Sequence, residues 1–271
     1  MKHALLVQLA RGLQRKPAGF LFVDTHAGRG SYILTKAEKG ARLARLPEYP
    51  DGIGRLWRRD DLPPPLADYV GLVRKFDRRA KSPETPHFYP GSPCLMQLLA
   101  RPQDRIVLCE RQPAEASLLR KSLLTKERVI VRVGNGYAAL SGFLPPLEKR
   151  ALVLIDPPFE EEKEGEQIVA AVAEAIRRLP TAVCAIWYPL TGRVRAATLL
   201  EGLQGIPSTP TLVADIIVEP NAPRMNGCGL AILNPPWQFE EEARSMMRYL
   251  STVLARAPGG SSTVRWLVPA R

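Results

Sequence analysis

The sequence offers little to hold a metal and nothing to cross a bilayer as a helix. Its four cysteines, Cys94, Cys109, Cys184 and Cys228, stand far apart with no C-x-x-C pair, and His3, His26 and His87 make no H-x-x-x-H. The usual zinc frameworks are therefore excluded. No stretch approaches the roughly 18 uncharged apolar residues of a spanning helix, and the N-terminus shows no apolar core followed by a cleavage site. Each cysteine except Cys94 lies in or beside an apolar run, the setting of buried free thiols in a reducing compartment. These absences predict a cytoplasmic protein with neither metal nor membrane partner.

What is present is ordinary in bulk and unusual in charge. The 271 residues are 45% hydrophobic and 24% charged, close to the average of soluble globular chains, which excludes wholesale disorder and fibrous repeats. With 26 prolines and 20 glycines the chain should be loop-rich and built of short elements. Lys and Arg number 38 against 27 Asp and Glu, a net charge of +11 that favours a polyanionic partner, although general surface composition also yields basic enzymes. The excess is uneven. Residues 1–45 hold nine basic residues (Lys2, Arg11, Arg15, Lys16, Arg29, Lys36, Lys39, Arg42, Arg45) against Asp24 and Glu38.

Short apolar runs recur at Gly19–Val23, Arg105–Cys109, Val129–Val133, Ala151–Ile155, Ala182–Trp187, Thr211–Val218, Leu230–Leu233 and Val264–Val268. Helical patterns lie between most of them: Lys2–Leu13, Ser92–Leu99, Pro113–Leu124, Gln167–Arg178 and Phe239–Arg256. Runs apolar on both faces that alternate with helices predict an α/β sheet covered on both sides, with mainly parallel strands. Residues 46–90 break the alternation. They are rich in Pro and charge, with helix-like stretches at Ile53–Arg59 and Leu66–Phe76 and no convincing strand. A segment of that length needs its own structure or a function. It is read as a small helical insertion subdomain within a domain made of 1–45 and 91–271. Its cluster Arg74, Lys75, Arg78, Arg79 and Lys81 suits phosphates, or is simply a solvated helix end.

The chemistry concentrates at strand ends. Ala151–Ile155 stops at Asp156-Pro157-Pro158-Phe159, where open α/β sheets bind ligands. An exocyclic amine is a poor nucleophile because its lone pair is delocalised into the ring. The Asp156 carboxylate and the Pro157 carbonyl form an acceptor pair able to hold both N–H bonds and aim the lone pair at a methyl donor. Phe159 supplies a stacking face for a base drawn out of its helix. An ordinary strand-ending turn is the plain alternative. Leu233-Asn234-Pro235-Pro236-Trp237 has the same shape, but it comes late in the chain with no glycine loop at a suitable distance before it.

A donor site should lie earlier. Leu21–Asp24 runs into Thr25-His26-Ala27-Gly28-Arg29-Gly30, a glycine loop that lets backbone approach a ligand closely, though it is not G-x-G-x-x-G. Glu110 ends the second long run, where it can accept from both ribose hydroxyls, and Asn135-Gly136 follows the third, where a side-chain oxygen can face an adenine amine.

On these residues the chain resembles the class I S-adenosylmethionine-dependent methyltransferases, and within them the RlmJ family of 23S rRNA adenine N6-methyltransferases. The shared features are Lys2-His3, Asp24-Thr-His26-Ala-Gly28, Arg55-Leu-Trp57, Asp60-Asp61-Leu-Pro, Tyr89-Pro-Gly91-Ser92-Pro93, Glu110, Ile155-Asp-Pro-Pro-Phe159, Trp187-Tyr188-Pro189, Asn234-Pro-Pro-Trp237 and Trp266-Leu-Val-Pro269. The resemblance implies a Rossmann-like sheet with a small helical insertion, and methyl transfer to an adenine of 23S rRNA, position 2030 in the standard RNA numbering. It implies that His3, His26, Gly28, Ser92, Glu110, Asn135 with Gly136, and Asp156 line the S-adenosyl-L-methionine site, with Lys2 beside it, and that Asp156, Pro157 and Phe159 form the catalytic group. Members of the family carry a further upstream segment with a His-Ala-Gly-Asn stretch before the Lys-His pair. The chain as given is therefore expected to bind the donor weakly, and an upstream-extended form to bind it better. Where the family often has Asp, this chain has Asn135. A monomer is expected. The alternatives are a DNA adenine N6-methyltransferase and an RNA-binding protein with an impaired donor site.

Overall fold

The computed structural model describes residues 1–34, 49–78, 85–125, 127–191, 193–220, 222 and 225–270. The basic residues Lys36, Lys39, Arg42, Arg45, Arg79 and Lys81, and the boundary between 45 and 46, lie outside them.

The chain opens with helix α1 (Lys2–Gln14), strand β1 (Leu21–Asp24) and strand β2 (Ser31–Ile33). It continues through α2 (Gly54–Trp57), α3 (Pro64–Asp77), β3 (Phe88–Pro90) and α4 (Ser92–Leu99). Then strands and helices alternate: β4 (Arg105–Glu110), α5 (Pro113–Ser122), β5 (Val129–Val133), α6 (Gly136–Phe143), β6 (Ala151–Ile155), α7 (Glu164–Arg178), β7 (Val183–Leu190) and α8 (Arg193–Gln204). The end is β8 (Thr211–Ile217), β9 (Gly227–Leu233), α9 (Phe239–Leu254) and β10 (Ser261–Val268).

Among the described residues, eight strands form one sheet in the order β10-β8-β9-β7-β6-β1-β4-β5. The five from β7 to β5 are mutually parallel, whereas β9 and β10 run antiparallel to their neighbours. Strand β1 has β4 on one side and β6 on the other, so the strand order reverses there and opens a crevice at the carboxyl edge. Period-two alternation feeds two layers. Phe22, Leu152 and Leu154 join α1, α4 and α9 in one core, while Val23, Val153 and Ile155 join α7 and α8 in the other. This is the α/β sheet with helices on both faces that the apolar runs predict.

The region read as having no convincing strand does contain one: β3 pairs antiparallel with β2 as a separate two-stranded ribbon. Strands of three residues carry too little alternation to stand out from loop. In α3, Leu66, Tyr69, Val70 and Val73 are buried in the same core as α1, so the inserted helices lean on that helix. The expected basic cluster on α3 is partly committed, since Arg74 donates to the Trp57 carbonyl and stacks over its ring at 5.8 Å.

The far end of α1 is tightly held. Arg101 donates to the carbonyls of Gln14, Lys16 and Ala18, and Arg150 donates to those of Leu13 and Ala18. Two guanidinium groups thus hold the last carbonyls of the helix and those of the turn that follows it, where the helix dipole also favours cations. Among the described residues the four cysteines are free, and no helix is long and apolar enough to cross a membrane. Burial pushes the Cys109 and Cys184 thiols up to about 11 and about 12, and Cys94 is buried as well.

Candidate active site

At the carboxyl edge, β6 delivers Asp156 and β1 delivers Asp24 and the glycine loop. The first turn of α1 brings Lys2, whose Nζ donates to Asp156 Oδ2 and lies 5.7 Å from the Trp187 ring centroid. Phe159 sits 6.0 Å from Trp187 in an edge-to-face arrangement at 66°. It has φ of +54°, a left-handed conformation that costs a side-chain-bearing residue about 1–2 kcal/mol. The result is a carboxylate beside two aromatic rings, with Pro157 buried between Asp156 and the exposed Pro158.

The glycine-loop side is built around Asp24, which is fully buried. Its Oδ2 accepts from Ser92 Oγ at 2.6 Å and its Oδ1 from the His26 backbone at 3.1 Å. Burial pushes this carboxyl up to about 7, with the nearby charge of Asp156 adding to the shift and the Ser92 hydrogen bond opposing it. His26 is driven down to about 4 by burial and is neutral at physiological pH. Thr25 Oγ1 donates its proton to the Leu154 carbonyl, so the 2.8 Å contact with His26 Nδ1 has the ring donating, which leaves Nε2 as an acceptor. His3 is likewise neutral, its pKa lowered by burial first and then by the neighbouring Lys2. A chain of hydrogen bonds runs from His3 Nδ1 to the Tyr89 hydroxyl (2.7 Å) and on to that of Tyr69 (2.8 Å), tying α1 to α3 through β3.

A carboxyl raised from 3.8 to about 7 favours the folded state in its protonated form. That contribution is complete below about pH 4 and is lost as pH rises through 7. Asp24→Asn should therefore gain thermal stability relative to wild type between pH 5 and pH 8, measured by calorimetry at both. An equal difference at the two pH values would show that Asp24 is not the titrating group.

Two expected ligand contacts prove to be shared with the backbone. Glu110 accepts from the Gly28 amide (2.9 Å) and the Gln112 amide (2.8 Å), one on each oxygen. Asn135 Oδ1 accepts from Tyr137 and Ala138 and caps α6, so the oxygen expected to face an adenine amine is engaged by the helix. Gly136 is required for contact, because a Cβ there would stand 2.1 Å from the Thr25 carbonyl oxygen. Gly28, at φ +60°, keeps the loop beside Tyr32 open to a ligand.

The competing Asn234-Pro-Pro-Trp237 motif is at the other end of the sheet. Because β9 runs antiparallel to β7, Leu233 pairs with Cys184 near the start of β7 rather than its end. Asn234 donates to the carbonyls of Pro180 and Ala182 and acts as a structural turn. The reading of residues alone missed Asp24 as a site group, and missed Trp187 and Tyr89. Their signals were faint: each stands in a motif quoted for the family resemblance, but nothing local marks it as facing the cleft.

Among the described residues no group of three or more His, Cys, Asp or Glu side chains could hold a metal. The set at this edge instead suits a cationic, ribose-bearing ligand: carboxylates at Glu110 and Asp156 with Asp24 buried behind the loop, neutral imidazoles at His3 and His26, and a glycine cradle.

Comparison with known proteins agrees with this arrangement. Ribosomal RNA large subunit methyltransferase J of Haemophilus influenzae is 35% identical over 271 residues, covering 99% of this chain and 94% of that protein. The Escherichia coli protein of the same name is 35% identical over 272 residues, with the same coverage. The crystal structure of protein LPL1258 from Legionella pneumophila superposes with a TM-score of 0.88 at 31% identity, covering 97% of this chain and 94% of that one. Residues 17–268 match the family model described as ribosomal RNA large subunit methyltransferase D, RlmJ, and with Asp156, Glu110 and the glycine loop gathered at one edge of the sheet, the chain belongs to that family.

Proposed function

We propose that this protein transfers a methyl group from S-adenosyl-L-methionine to N6 of an adenine in 23S rRNA, at the position numbered 2030. The observation that carries the reading is Asp156-Pro-Pro-Phe159 at the end of β6, immediately beside the glycine loop of β1. Family membership favours ribosomal RNA over DNA as substrate. Lys2, His3, His26, Gly28, Ser92, Glu110, Asn135, Gly136 and Asp156 form the donor site in this reading. Glu110 accepts from the ribose with lone pairs left over from its two amide partners, and Ser92 acts by orienting Asp24. When bound, the donor supplies an electrophilic methyl on a sulfonium sulfur.

The chain's own residues prepare the nucleophile. Lys2 fixes the Asp156 carboxylate, whose other oxygen accepts one N–H of the adenine amine while the Pro157 carbonyl accepts the second. Phe159 and Trp187, packed edge to face, wall the base on one side. Positioning supplies most of the acceleration, and the amine proton leaves to water late, once the N–C bond has formed. Residues 46–90 act as an insertion subdomain on the domain formed by 1–45 and 91–271. The protein works as a cytoplasmic monomer without metal.

The test is incubation of unmethylated 23S rRNA with the protein and labelled S-adenosylmethionine, followed by nuclease mapping and mass spectrometry. N6-methyladenosine at one position is expected, with DNA inert. Incorporation into DNA, or none into RNA, would overturn the assignment.

The aromatic pair carries its own prediction. Trp187→Ala and Phe159→Ala should each weaken turnover by an amount equivalent to roughly 1–3 kcal/mol of lost base stacking, with Phe159→Tyr nearly neutral. Equal losses in Phe159→Ala and Phe159→Tyr would mean that the ring serves packing alone.

A further inference from the structure

Away from the donor crevice, a cleft of about 700 Å³ opens between the segment joining α2 to α3 and the outer face of α9. Its volume is that of a small-ligand site. Arg59, Asp61, Arg244, Arg248 and Tyr249 provide its polar lining, together with Glu241. The walls are fastened to each other: Arg55 on α2 donates to the carbonyls of Val253 and Ala255 at the end of α9.

Asp61 organises the interior. It accepts from the Tyr249 hydroxyl at 2.7 Å and from Arg59 Nη1 at 3.2 Å, which places the Arg59 guanidinium 5.8 Å from the Tyr249 ring centroid. The product is a preformed layer of guanidinium over an aromatic ring, a surface on which a nucleobase stacks with little sequence preference. Arg244 is tied to Glu240, whereas Arg248 is exposed and has no ion pair among the described residues. Asp61, Glu240 and Glu241 balance the three arginines in charge, and with Asp61 engaged by two donors and Arg244 held by Glu240, Arg248 is the side chain placed to meet a phosphate.

The cleft lies on the face of the sheet that carries α1. The segment that lines it leads directly into α3, where Tyr69 begins the hydrogen-bonded chain to His3. From Pro64 to Tyr69 is about 8 Å along the helix axis, so the segment lining the cleft and the hydrogen-bonded chain to His3 are joined by a short stretch of α3.

We propose that the cleft is an auxiliary RNA site that holds one unstacked nucleotide flanking the target adenine, its base against the Arg59–Tyr249 layer and its phosphate on Arg248. The inference rests on the reading of the substrate as RNA. It makes the insertion a reader of the flanking strand through a shaped pocket as well as through diffuse charge.

The experiment measures binding of unmethylated 23S rRNA across a salt series, alongside methylation kinetics and S-adenosylmethionine affinity, for wild type, Arg248→Ala, Arg59→Ala and Arg59→Lys. These side chains are at the surface, and circular dichroism confirms folding. Arg248→Ala should lower RNA affinity about tenfold and reduce the salt slope by about one. Arg59→Ala should lower affinity about tenfold with the larger part surviving at high salt, because stacking is not screened, and Arg59→Lys should not restore it. In all three, KM for RNA rises while kcat and donor affinity stay unchanged. Wild-type affinity and slope in both alanine variants, or full rescue by lysine, would overturn the cleft as a nucleotide site. Methylation by the wild type reports separately on the proposed activity: RNA binding without methylation sinks that reading, and the variant comparison still decides the cleft.

Discussion

Asp156→Ala is expected to abolish methyl transfer, with a fall in kcat of at least about 10²–10³-fold, the scale seen when one preorganised polar group is removed from a reacting centre. The fold should survive. Asp156 directly follows β6, its side chain is half-buried, and its ion-pair partner among the described residues is Lys2, itself part-exposed on the first turn of α1. Asp156→Asn keeps the shape and loses the charge that holds the ammonium, so it should also be strongly impaired. The control is Asn234→Ala, which should retain turnover and lose stability, because that amide ties β9's end to two carbonyls ahead of β7. An active Asp156→Ala protein paired with an inactive Asn234→Ala protein would reverse the assignment of the two motifs. Single-turnover assays and thermal melts on the same preparations separate the outcomes.

The second large effect is expected at Glu110. A carboxylate that served only the ribose could be removed with no cost to the free protein. Here it also satisfies the amides of Gly28 and Gln112, and with 9% of the residue exposed there is little water to replace it. Glu110→Ala should raise the dissociation constant for S-adenosylmethionine by at least tenfold and lower folding stability by about 1–3 kcal/mol, the range for a buried donor left unpaired. Glu110→Gln should recover part of the stability and little of the affinity, since one of its two terminal groups becomes a donor. Calorimetric titration and denaturant unfolding measure the two quantities independently. Unaltered donor affinity in Glu110→Ala would remove this residue from the donor site.

Strands buried on both faces were the most legible part of the fold. Ala151–Ile155, buried at every position, matches the structure at both ends, because a continuous apolar run bounded by polar residues has few other uses, whereas Val129–Val133 also matches although it is an edge strand with Ile130 and Val133 exposed. Helices α6 and α8 escaped notice for a reason visible in their residues. The first is eight residues long with a glycine at each end of Gly136–Gly142, and the second carries Gly202, which lets it close on Val169. The antiparallel β8, β9 and β10 were found as strands, but direction leaves no mark in an apolar run. At the site, strand-end acids were legible because topology puts such residues at a ligand edge. Partners brought from afar were not: Lys2 and Asp156 are separated by 154 positions, and no periodicity reports a pairing at that range. The double duty of Glu110 and Asn135 was also hidden, since a residue type announces that it can accept a hydrogen bond without saying from whom.

Helix α1 spans thirteen residues, about 20 Å, with its guanidinium anchors at one end and Lys2 at the other. A rigid rod clamped at its base turns a small angular error there into a displacement at its tip. The placement of the ammonium against Asp156 is thus set partly by Arg101 and Arg150, which touch neither donor nor base. In engineering terms the catalytic edge is cantilevered from the opposite rim of the sheet, and tolerance at that rim becomes a condition of precision at the chemistry.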